Sequence, residues 1–342
     1  MARRARRFAG SFVGLALATM LVAACGGSGE TGGGTGDVGG SITEDYDLKP
    51  ESKAQQAGGG PTARLTVGSK NFFAEQEILG HITVEALRAA GAEVEDRTGL
   101  GNTEAVRASL LSGSIDLYWE YTGTGATIHL AQPDVPSDPQ AVYQNVAKMD
   151  REQNAIEWLE PAAANNSYAI AVREDVSDQD LAEVQTISDL ANLVQQRPQK
   201  ATVCAGPEFM QRADSMHAVE TTYGFKFPED SVLGYPVSTV YRAIDTGEQC
   251  NFGSVFRTNG YASELGLRML EDDQGAFPPY SPSLTVRSDV LDRYPDLEPL
   301  MADITDRLDD KTLRSLNTRV EVDHEAPEVV ASDWLEKQGL VE

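Results

Sequence analysis

The sequence predicts an α/β protein built as two lobes with a cleft between them. Apolar strands at residues 64–67 and 115–119 each end in a polar turn that contains glycine, and a helical segment lies between them. Strands joined through a helix are typical of a parallel sheet. A second strand-and-helix set begins at Lys200, and the chain crosses between the sets near Tyr168 and again near Tyr280. Two crossings predict two lobes that are hinged by two strands.

The helices and strands are predicted from the spacing of apolar residues and from residues that are typical of helix ends. Residues 72–90 carry one apolar stripe and stop at Gly91, which is typical of a helix with a glycine C-cap. Asn102 or Thr103 is expected to cap a second helix that ends at Gly113. The further helices are predicted around 142–146 and over 187–196, 209–223, 238–246, 291–294, 297–308, 311–317 and 329–339. The further strands are predicted over 93–96, 165–172, 250–256 and 284–287.

The first 25 residues predict an export signal. Four arginines precede an apolar run over 8–24, which is too short for a membrane span and stops at Cys25. Residues 22–25 resemble a bacterial lipobox, which predicts lipid attachment at Cys25; an ordinary cleavable signal is the alternative. Residues 26–61 are rich in Gly, Ser and Thr and predict a flexible tether. Together these features predict an extracytoplasmic protein that is held at the cell membrane by lipid.

Net charge and cysteine content indicate which ligands and which covalent bonds are to be expected. Without the four arginines of the signal, the chain has 24 basic against 53 acidic residues. Such a chain is repelled by nucleic acid and favours a cationic ligand, although solubility alone explains the charge equally well. Cys204 and Cys250 are expected to form a disulfide in an exported protein. The four histidines show no metal-ligand spacing, and roughly 280 residues after the tether exceed the usual single core.

Two turns contain candidate binding residues. Lys70 lies where the first strand runs into a helix, so an ammonium group and free backbone N–H groups predict an anion site, with a plain surface lysine as the alternative. Tyr121 and Thr124 lie in the glycine-rich turn after residues 115–119, where a ring either faces a ligand or packs over the loop. No nucleophile elbow, Walker loop or metal cluster is present in the sequence, which favours binding without catalysis or a cofactor.

Taken together, the motifs resemble extracytoplasmic solute-binding proteins of ABC importers for osmoprotectants such as glycine betaine, choline, carnitine and proline betaine. The matching segments follow one another from Leu65 to the C-terminus: 68–72 with Glu75 and Gln76, 99–103, 115–118 with 120–124, 165–172, 277–280 and 316–317. The resemblance implies a two-lobed periplasmic-binding fold of the second type that closes on its ligand and docks to a membrane permease. Lobe I is expected to comprise residues 62–165 and 275–342, and lobe II residues 166–274. A monomer is expected.

The resemblance also implies roles for single residues. The residues that match the family's aromatic box for a quaternary ammonium group are Tyr121, Tyr168, Tyr241 and Tyr280, and those that match its carboxylate end are Lys70, Thr124 and Arg212. Asn166 and Tyr143 are weaker candidates. A trimethylammonium group has no N–H to donate, so aromatic faces are the groups that hold it. A carboxylate clamp would favour betaines over choline.

Departures from the family pattern leave the ligand open. Where the family often carries Thr-Thr-Asp-Gly, this chain has Arg257-Thr-Asn-Gly260, so an acid is lost and a cation lies nearby. Arg257 would either select a more acidic solute or remain at the surface. The alternatives are a binding protein for amino acids or polyamines, an exported hydrolase or transferase, and an adhesive lipoprotein. A carboxylate at the ammonium position would favour primary amines, because these need hydrogen-bond acceptors.

Overall fold

The computed structural model describes residues 46, 48, 63–132 and 135–341. The predicted signal, the lipobox at Cys25 and nearly all of the tether lie outside the described residues. The described chain forms two five-stranded mixed sheets. The strands are β1 Arg64–Lys70, β2 Glu93–Gly101, β3 Leu117–Tyr121, β4 Ile156–Trp158, β5 Tyr168–Arg173, β6 Val203–Ala205, β7 Val232–Gly234, β8 Phe252–Phe256, β9 Leu267–Met269 and β10 Pro282–Arg287.

Helices of very different length connect the strands. They are α1 Ala74–Ala89, α2 Thr103–Leu111, α3 Thr122–Thr124, α4 Pro139–Asn154, α5 Gln179–Ala182, α6 Ile187–Gln196, α7 Pro207–Gln211, α8 Met216–Thr222, α9 Val237–Thr246, α10 Gly260–Glu264, α11 Ser288–Leu291, α12 Leu297–Thr305, α13 Asp310–Glu321 and α14 Pro327–Lys337. A π-helical turn over Gly125–His129 continues α3. The short turns Pro198–Lys200 and Glu229–Ser231 are 3₁₀-helical.

The first sheet has the order β2-β1-β3-β10-β4 and the second the order β7-β6-β8-β5-β9. In the first sheet, β1 runs parallel to β2 and β3, whereas β10 runs antiparallel to β3 and β4. Helices α1 and α12–α14 cover one face of this sheet, and α2 and α4 cover the other. The second sheet is covered by α6–α8 on one face and by α9 and α10 on the other. We call the two groups of elements the first lobe and the second lobe; their predicted boundaries in residue numbers stay a prediction.

Two chain segments run side by side between the lobes. One leads from β4 to β5 and the other from β9 to β10. The Asn166 N–H donates to the Tyr280 carbonyl at 3.0 Å, and the Tyr280 N–H donates to Asn165 Oδ1 at 2.9 Å. These bonds place Tyr168 and Tyr280 next to the same crossing, where they reach the space between the sheets.

Cys204 and Cys250 form the disulfide that the sequence predicts, with an Sγ–Sγ distance of 1.99 Å. Cys204 lies in β6, and Cys250 lies just before β8, the parallel neighbour of β6. The bond therefore fastens two adjacent strands of the second lobe. In the described part of the chain, no helix is both long and apolar enough to cross a membrane.

The helix predicted over 291–294 lies instead at Ser288–Leu291. The helix predicted over 209–223 is wrong, and this error matters for the site. Residues 209–223 form two helices, α7 and α8, because the backbone at Arg212 is extended, with φ −75° and ψ 146°. The Ser215 hydroxyl donates to the carbonyls of Phe209 and Arg212 and so satisfies the end of α7. Apolar periodicity continues across the break, which hides it in the sequence. Strands β4, β7 and β9 and helix α5 were also not predicted, since each has only three or four residues.

Candidate ligand-binding site

A small cavity of about 20 Å³ lies between the two lobes. Its lining is mostly aromatic, and none of the ten described residues that form it is acidic. The lining residues are Lys70, Phe72, Phe73, Tyr121, Thr124, Asn166, Tyr168, Arg212, Phe256 and Tyr280. In open sheets of this kind, the turns after the strands approach one another at the edge where ligands bind. Lys70 ends β1, Tyr121 ends β3, and Phe256 ends β8.

Six of the seven residues predicted from the sequence meet in this cavity. They are Lys70, Tyr121, Thr124, Tyr168, Arg212 and Tyr280. Tyr241, the seventh, does not line it. Its ring is fully buried between α9 and β8, where its hydroxyl oxygen accepts the Phe256 N–H at 2.9 Å. Tyr241 belongs to the helix stripe that packs on the sheet, and its match to a later aromatic position of the family does not reflect a place in the cavity.

The weaker candidates divide in the same way. Asn166 lines the cavity, whereas Tyr143 donates from its hydroxyl to the Trp158 carbonyl at 3.2 Å on the far side of the first sheet. Arg257 is exposed and does not contribute to the lining. Its place at the surface matches the second of the two alternatives considered for it.

Rings from both lobes form the apolar wall. Phe73 of the first lobe stacks on Phe256 of the second at 5.0 Å between ring centroids, and Tyr168 lies 4.9 Å from Phe256. Tyr168 also meets Tyr280 edge to face at 5.8 Å. The sequence indicated Phe72 through its motif and left open whether Phe256 faces the cleft, but it did not indicate Phe73. Phe256 ends the predicted strand over 250–256, and Phe73 lies in the first turn of the helix predicted over 72–90.

A glycine lets one of these rings approach. A Cβ atom at Gly123 would lie 2.8 Å from the ring of Tyr280 and 2.8 Å from the Pro279 carbonyl oxygen. Both distances are too short for a side chain, so the glycine of the turn after β3 is required for Tyr280 to lie against it.

Lys70 is held by a buried carboxylate. Its Nζ atom lies 2.5 Å from Glu120 Oε1, and both side chains are almost fully buried. Glu120 Oε2 lies 3.0 Å from His129 Nε2 and accepts the hydroxyl of Tyr118 at 3.1 Å. Burial alone would raise the pKa of Glu120, but the Lys70 ammonium and His129 outweigh it and hold this pKa well below its usual range. The wall therefore contains a fixed ion pair.

Arg212 is paired in a similar way by Asp214. Its Nε and Nη2 atoms donate to the two carboxylate oxygens at 2.8 and 2.6 Å, and Nη2 also donates to Thr124 Oγ1 at 3.1 Å. Asp214 Oδ2 accepts two further hydroxyls, those of Thr127 at 2.5 Å and Tyr280 at 2.6 Å. Burial acts to raise the pKa of Asp214, yet Arg212 outweighs it and lowers this pKa. The break between α7 and α8 makes this pairing possible.

The polar groups that remain for a ligand include the N–H donors of Lys70. Among the described residues, Lys70 Nζ has a single hydrogen-bond acceptor, Glu120, so two of its three N–H bonds are unused. The carboxylates of Glu120 and Asp214, by contrast, each accept four hydrogen bonds from named donors. The hydroxyl of Tyr168 has no hydrogen-bond partner in the described chain, so it remains free to donate or accept. The lining thus offers aromatic faces for an apolar cation and N–H donors for a carboxylate, and the neighbouring carboxylates of Glu120 and Asp214 are occupied by donors of the protein.

Comparison with known proteins decides the family. A family profile described as the substrate binding domain of ABC-type glycine betaine transport system matches residues 63–337. The chain belongs to this family. It is 35% identical over 280 residues to the glycine betaine-binding protein YehZ of Escherichia coli K12, which covers 80% of this chain and 90% of YehZ. It is 34% identical over 283 residues to a glycine-betaine-binding protein of Pseudomonas aeruginosa, with 81% of this chain and 89% of the relative covered.

A solved structure supports the assignment. The apo form of Escherichia coli YehZ superimposes with a TM-score of 0.63 at 34% identity, over 82% of this chain and 100% of that one. Membership in the glycine betaine transport family confirms the resemblance found in the sequence and the two-lobed periplasmic-binding fold of the second type. The family consists of extracytoplasmic solute-binding proteins of ABC transporters and not of enzymes. A small-molecule ligand and a membrane permease follow as partners.

Proposed function

We propose that the protein captures a betaine, a solute with a quaternary ammonium group and a carboxylate, and delivers it to an ABC permease. The observation that supports this most directly is the cavity lining, which combines six aromatic rings with Lys70 and Arg212 and includes no acidic residue. Aromatic faces attract a cation that cannot donate hydrogen bonds, at about 0.5–2 kcal/mol for each well-placed ring. The names of two relatives, both for glycine betaine binding, support the same ligand class.

The cavity disfavours amino acids and polyamines. A primary ammonium group loses its hydrogen bonds to water on entry and needs acceptors in exchange. The buried carboxylates of Glu120 and Asp214 contact residues of the lining, but each is already saturated by donors of the protein. A methylated nitrogen needs no such exchange.

The cavity also favours betaines over choline. The two unused N–H bonds of Lys70 are suited to a ligand carboxylate, and a charge-assisted hydrogen bond of this kind is worth more than a neutral one. Choline lacks the carboxylate and would leave these donors unmatched in a buried site.

A methylation series tests this proposal. Glycine, dimethylglycine and glycine betaine share one carboxylate and differ only in the methyl groups on nitrogen, and choline keeps the quaternary nitrogen without the carboxylate. Titration calorimetry of the purified protein is expected to give the tightest binding for glycine betaine, at least tenfold weaker binding for dimethylglycine and choline, and none for glycine. Tight binding of glycine or of a diamine, with no binding of glycine betaine, would instead support the alternative of a primary-amine carrier.

Anchoring and assembly are part of the same proposal. Lipid attachment at Cys25 would hold the binding domain beside the permease, with residues 26–61 as the tether. Mass spectrometry of the protein from its membrane fraction should find a diacylglyceryl group on an N-terminal Cys25, and Cys25→Ala should release the protein. A single species with the mass of one chain in light scattering would support the proposed monomer.

A further inference from the structure

A third buried carboxylate lies behind the cavity, at Glu75 in the first turn of α1. Its side chain is 1% exposed and accepts hydrogen bonds from four different segments of the chain. Oε1 accepts the Tyr121 hydroxyl at 2.7 Å and Asn166 Nδ2 at 2.9 Å. Oε2 accepts the Thr258 hydroxyl at 2.5 Å and Asn317 Nδ2 at 2.8 Å. One side chain thus joins four others that are far apart in sequence.

The four donors belong to two different places. Tyr121 and Asn166 line the ligand cavity, Tyr121 at the end of β3 and Asn166 in the segment that crosses from β4 to β5. Thr258 and Asn317 do not line it, and they lie where the second lobe meets helix α13 of the first. Asn317 Nδ2 also donates to the Thr258 carbonyl at 2.9 Å, which closes the group. The carboxylate of Glu75 therefore connects the cavity wall with the contact between the second lobe and α13.

The contact between the lobes at this point is close. A Cβ atom at Gly260, the first residue of α10, would lie 2.6 Å from the Cα atom of Thr318 in α13. On the same face of α13, Glu321 accepts Asn259 Nδ2 at 2.5 Å and the Gly260 N–H at 2.9 Å. A small displacement of α10 on α13 therefore changes the positions of Thr258 and Asn317, the two donors to Glu75.

The carboxylate has no cationic partner in the described chain to fix its charge. Burial raises the pKa of Glu75, and the four hydrogen bonds oppose this effect without reversing it. Its role is therefore unlike that of Glu120, which neutralises Lys70. Glu75 instead provides two oxygen atoms that together accept four hydrogen bonds.

We infer that Glu75 is a positioning residue for the ligand cavity. It orients Tyr121 and Asn166 in the wall and links them through Thr258 and Asn317 to the contact between the lobes. Ligand affinity and the packing of α10 on α13 are therefore coupled through this one carboxylate. The inference rests on the proposed function in one respect, since its affinity test uses glycine betaine.

Glu75→Gln is the sharpest variant because it keeps the shape of the side chain. The hydroxyls of Tyr121 and Thr258 can rotate to accept from the new amide nitrogen, whereas Asn166 and Asn317 can accept from it only if their amide groups turn over. Such a turn breaks the bond of Asn166 Oδ1 with the Thr258 N–H or that of Asn317 Nδ2 with the Thr258 carbonyl. One of the two asparagines must then face a donor with a donor or lose its second hydrogen bond. We expect at least a tenfold loss of glycine betaine affinity, with a melting temperature within a few degrees of the wild type, because removal of a buried carboxylate offsets part of the loss.

Glu77→Gln is the matched control. It makes the same chemical change two residues further along α1, at a half-buried carboxylate that has no hydrogen bond to the cavity wall. We expect its affinity to remain within twofold of the wild type. Equal losses in Glu75→Gln and Glu77→Gln would show a general effect of charge and overturn the inference.

Thr258→Val tests the link to the lobe contact without touching the cavity. It removes only the hydroxyl that donates to Glu75 Oε2, and we expect a three- to tenfold loss of affinity. In the Glu75→Gln background the same change should cost less than twofold, because residues that act through one group are not additive. Thr305→Val, at a buried threonine whose hydroxyl bonds within α12, is the control and should change nothing. Additive losses in the cycle would overturn the coupling.

Hydrogen exchange separates this inference from the proposed function, because it needs no ligand. In Glu75→Gln, amide exchange should become faster both in residues 121–124 and in residues 256–262, with no such change in Glu77→Gln. If the wild type binds no quaternary amine, the proposed function is wrong, and the exchange result still decides the positioning role. Unchanged exchange in both segments would refute it.

Discussion

The last two residues of β3, Glu120 and Tyr121, bring together two buried carboxylates whose pKa values are shifted in opposite directions. Glu120 lies 2.5 Å from the ammonium of Lys70, and its pKa is lowered because this cation and His129 outweigh its burial. Tyr121 donates to Glu75, whose pKa is raised because burial outweighs its neutral hydrogen bonds. Glu120 holds the charge of Lys70 in place in the cavity wall, and Glu75 orients the side chains that donate to it.

Side chains at the end of this one strand are therefore held in place in two different ways. An ion pair in a buried place holds its geometry strongly, and removal of one partner leaves an uncompensated charge. A carboxylate with neutral donors holds several groups at once and responds to each of them. The cavity therefore has a rigid electrostatic end at Lys70 and a wall at Tyr121 and Asn166 that is oriented by hydrogen bonds to Glu75.

The largest effect is expected from removal of the cation in the rigid end. Lys70→Met leaves Glu120 buried without its partner and should lower the free energy of unfolding by about 3–5 kcal/mol, as measured by urea denaturation. The double variant Lys70→Met with Glu120→Gln should recover most of this loss. If the single variant is as stable as the wild type, the ion pair does not hold the wall, and the contrast with Glu75 fails.

The next largest effect is expected in the pH dependence of stability, at Glu321 in the contact between α10 and α13. Burial, with a further contribution from Glu75, raises the pKa of Glu321 from 4.5 to about 7. The folded protein thus holds a proton on Glu321 between pH 4.5 and 7 that the unfolded chain has released, so stability falls as the pH rises through this window. Between pH 4.5 and 7.5, the wild type should lose about 3 kcal/mol more than Glu321→Gln. Parallel curves for the two proteins would show that Glu321 titrates alike in the folded and the unfolded state.

A smaller effect is expected at the connection between the two regions. Tyr121→Phe keeps the ring and removes the hydroxyl that donates to Glu75 at 2.7 Å. A buried acceptor that loses one of its four donors should cost about 2 kcal/mol of unfolding free energy. Titration with glycine betaine should also show weaker binding, since the ring is no longer held. A loss confined to stability, with unchanged affinity, would separate Tyr121 from the positioning role of Glu75.

The smallest effect is expected at Tyr168, the matched tyrosine on the other lobe. Its hydroxyl has no hydrogen-bond partner in the described chain, so Tyr168→Phe should change the unfolding free energy by less than about 0.5 kcal/mol and the affinity by less than twofold. Tyr168→Leu, which removes the ring, should weaken binding about tenfold by titration. If Tyr168→Phe is the more damaging of the two, the hydroxyl and not the ring binds the solute.

The sequence predicted the parts of the site that depend on local order. Lys70, Tyr121 and Thr124 follow strand ends, and their meeting at one sheet edge follows from parallel strands. The pairing of Lys70 with Glu120 was not predicted, although both lie in the matching motifs, because fifty residues separate them and a surface lysine has the same local pattern.

Two further failures have different physical causes. Tyr241 lies on a helix stripe whose periodicity predicts burial but not which neighbour it meets, and it packs on β8 outside the cavity. The break at Arg212 was missed because the apolar spacing continues through it, whereas the Ser215 hydroxyl that stabilises the break acts through tertiary geometry. Asp214 could not be found for the same reason, since it reaches Arg212 only when the helix is interrupted.

The stacked rings of Phe73 and Phe256 connect solute size with closure of the lobes. Their centroids lie 5.0 Å apart, one ring from each lobe, which is contact distance for two aromatic rings. A solute held between them must therefore separate the two rings, so a longer solute leaves the lobes further apart. Lengthening the carbon chain between nitrogen and carboxylate one methylene at a time would measure how much separation binding tolerates.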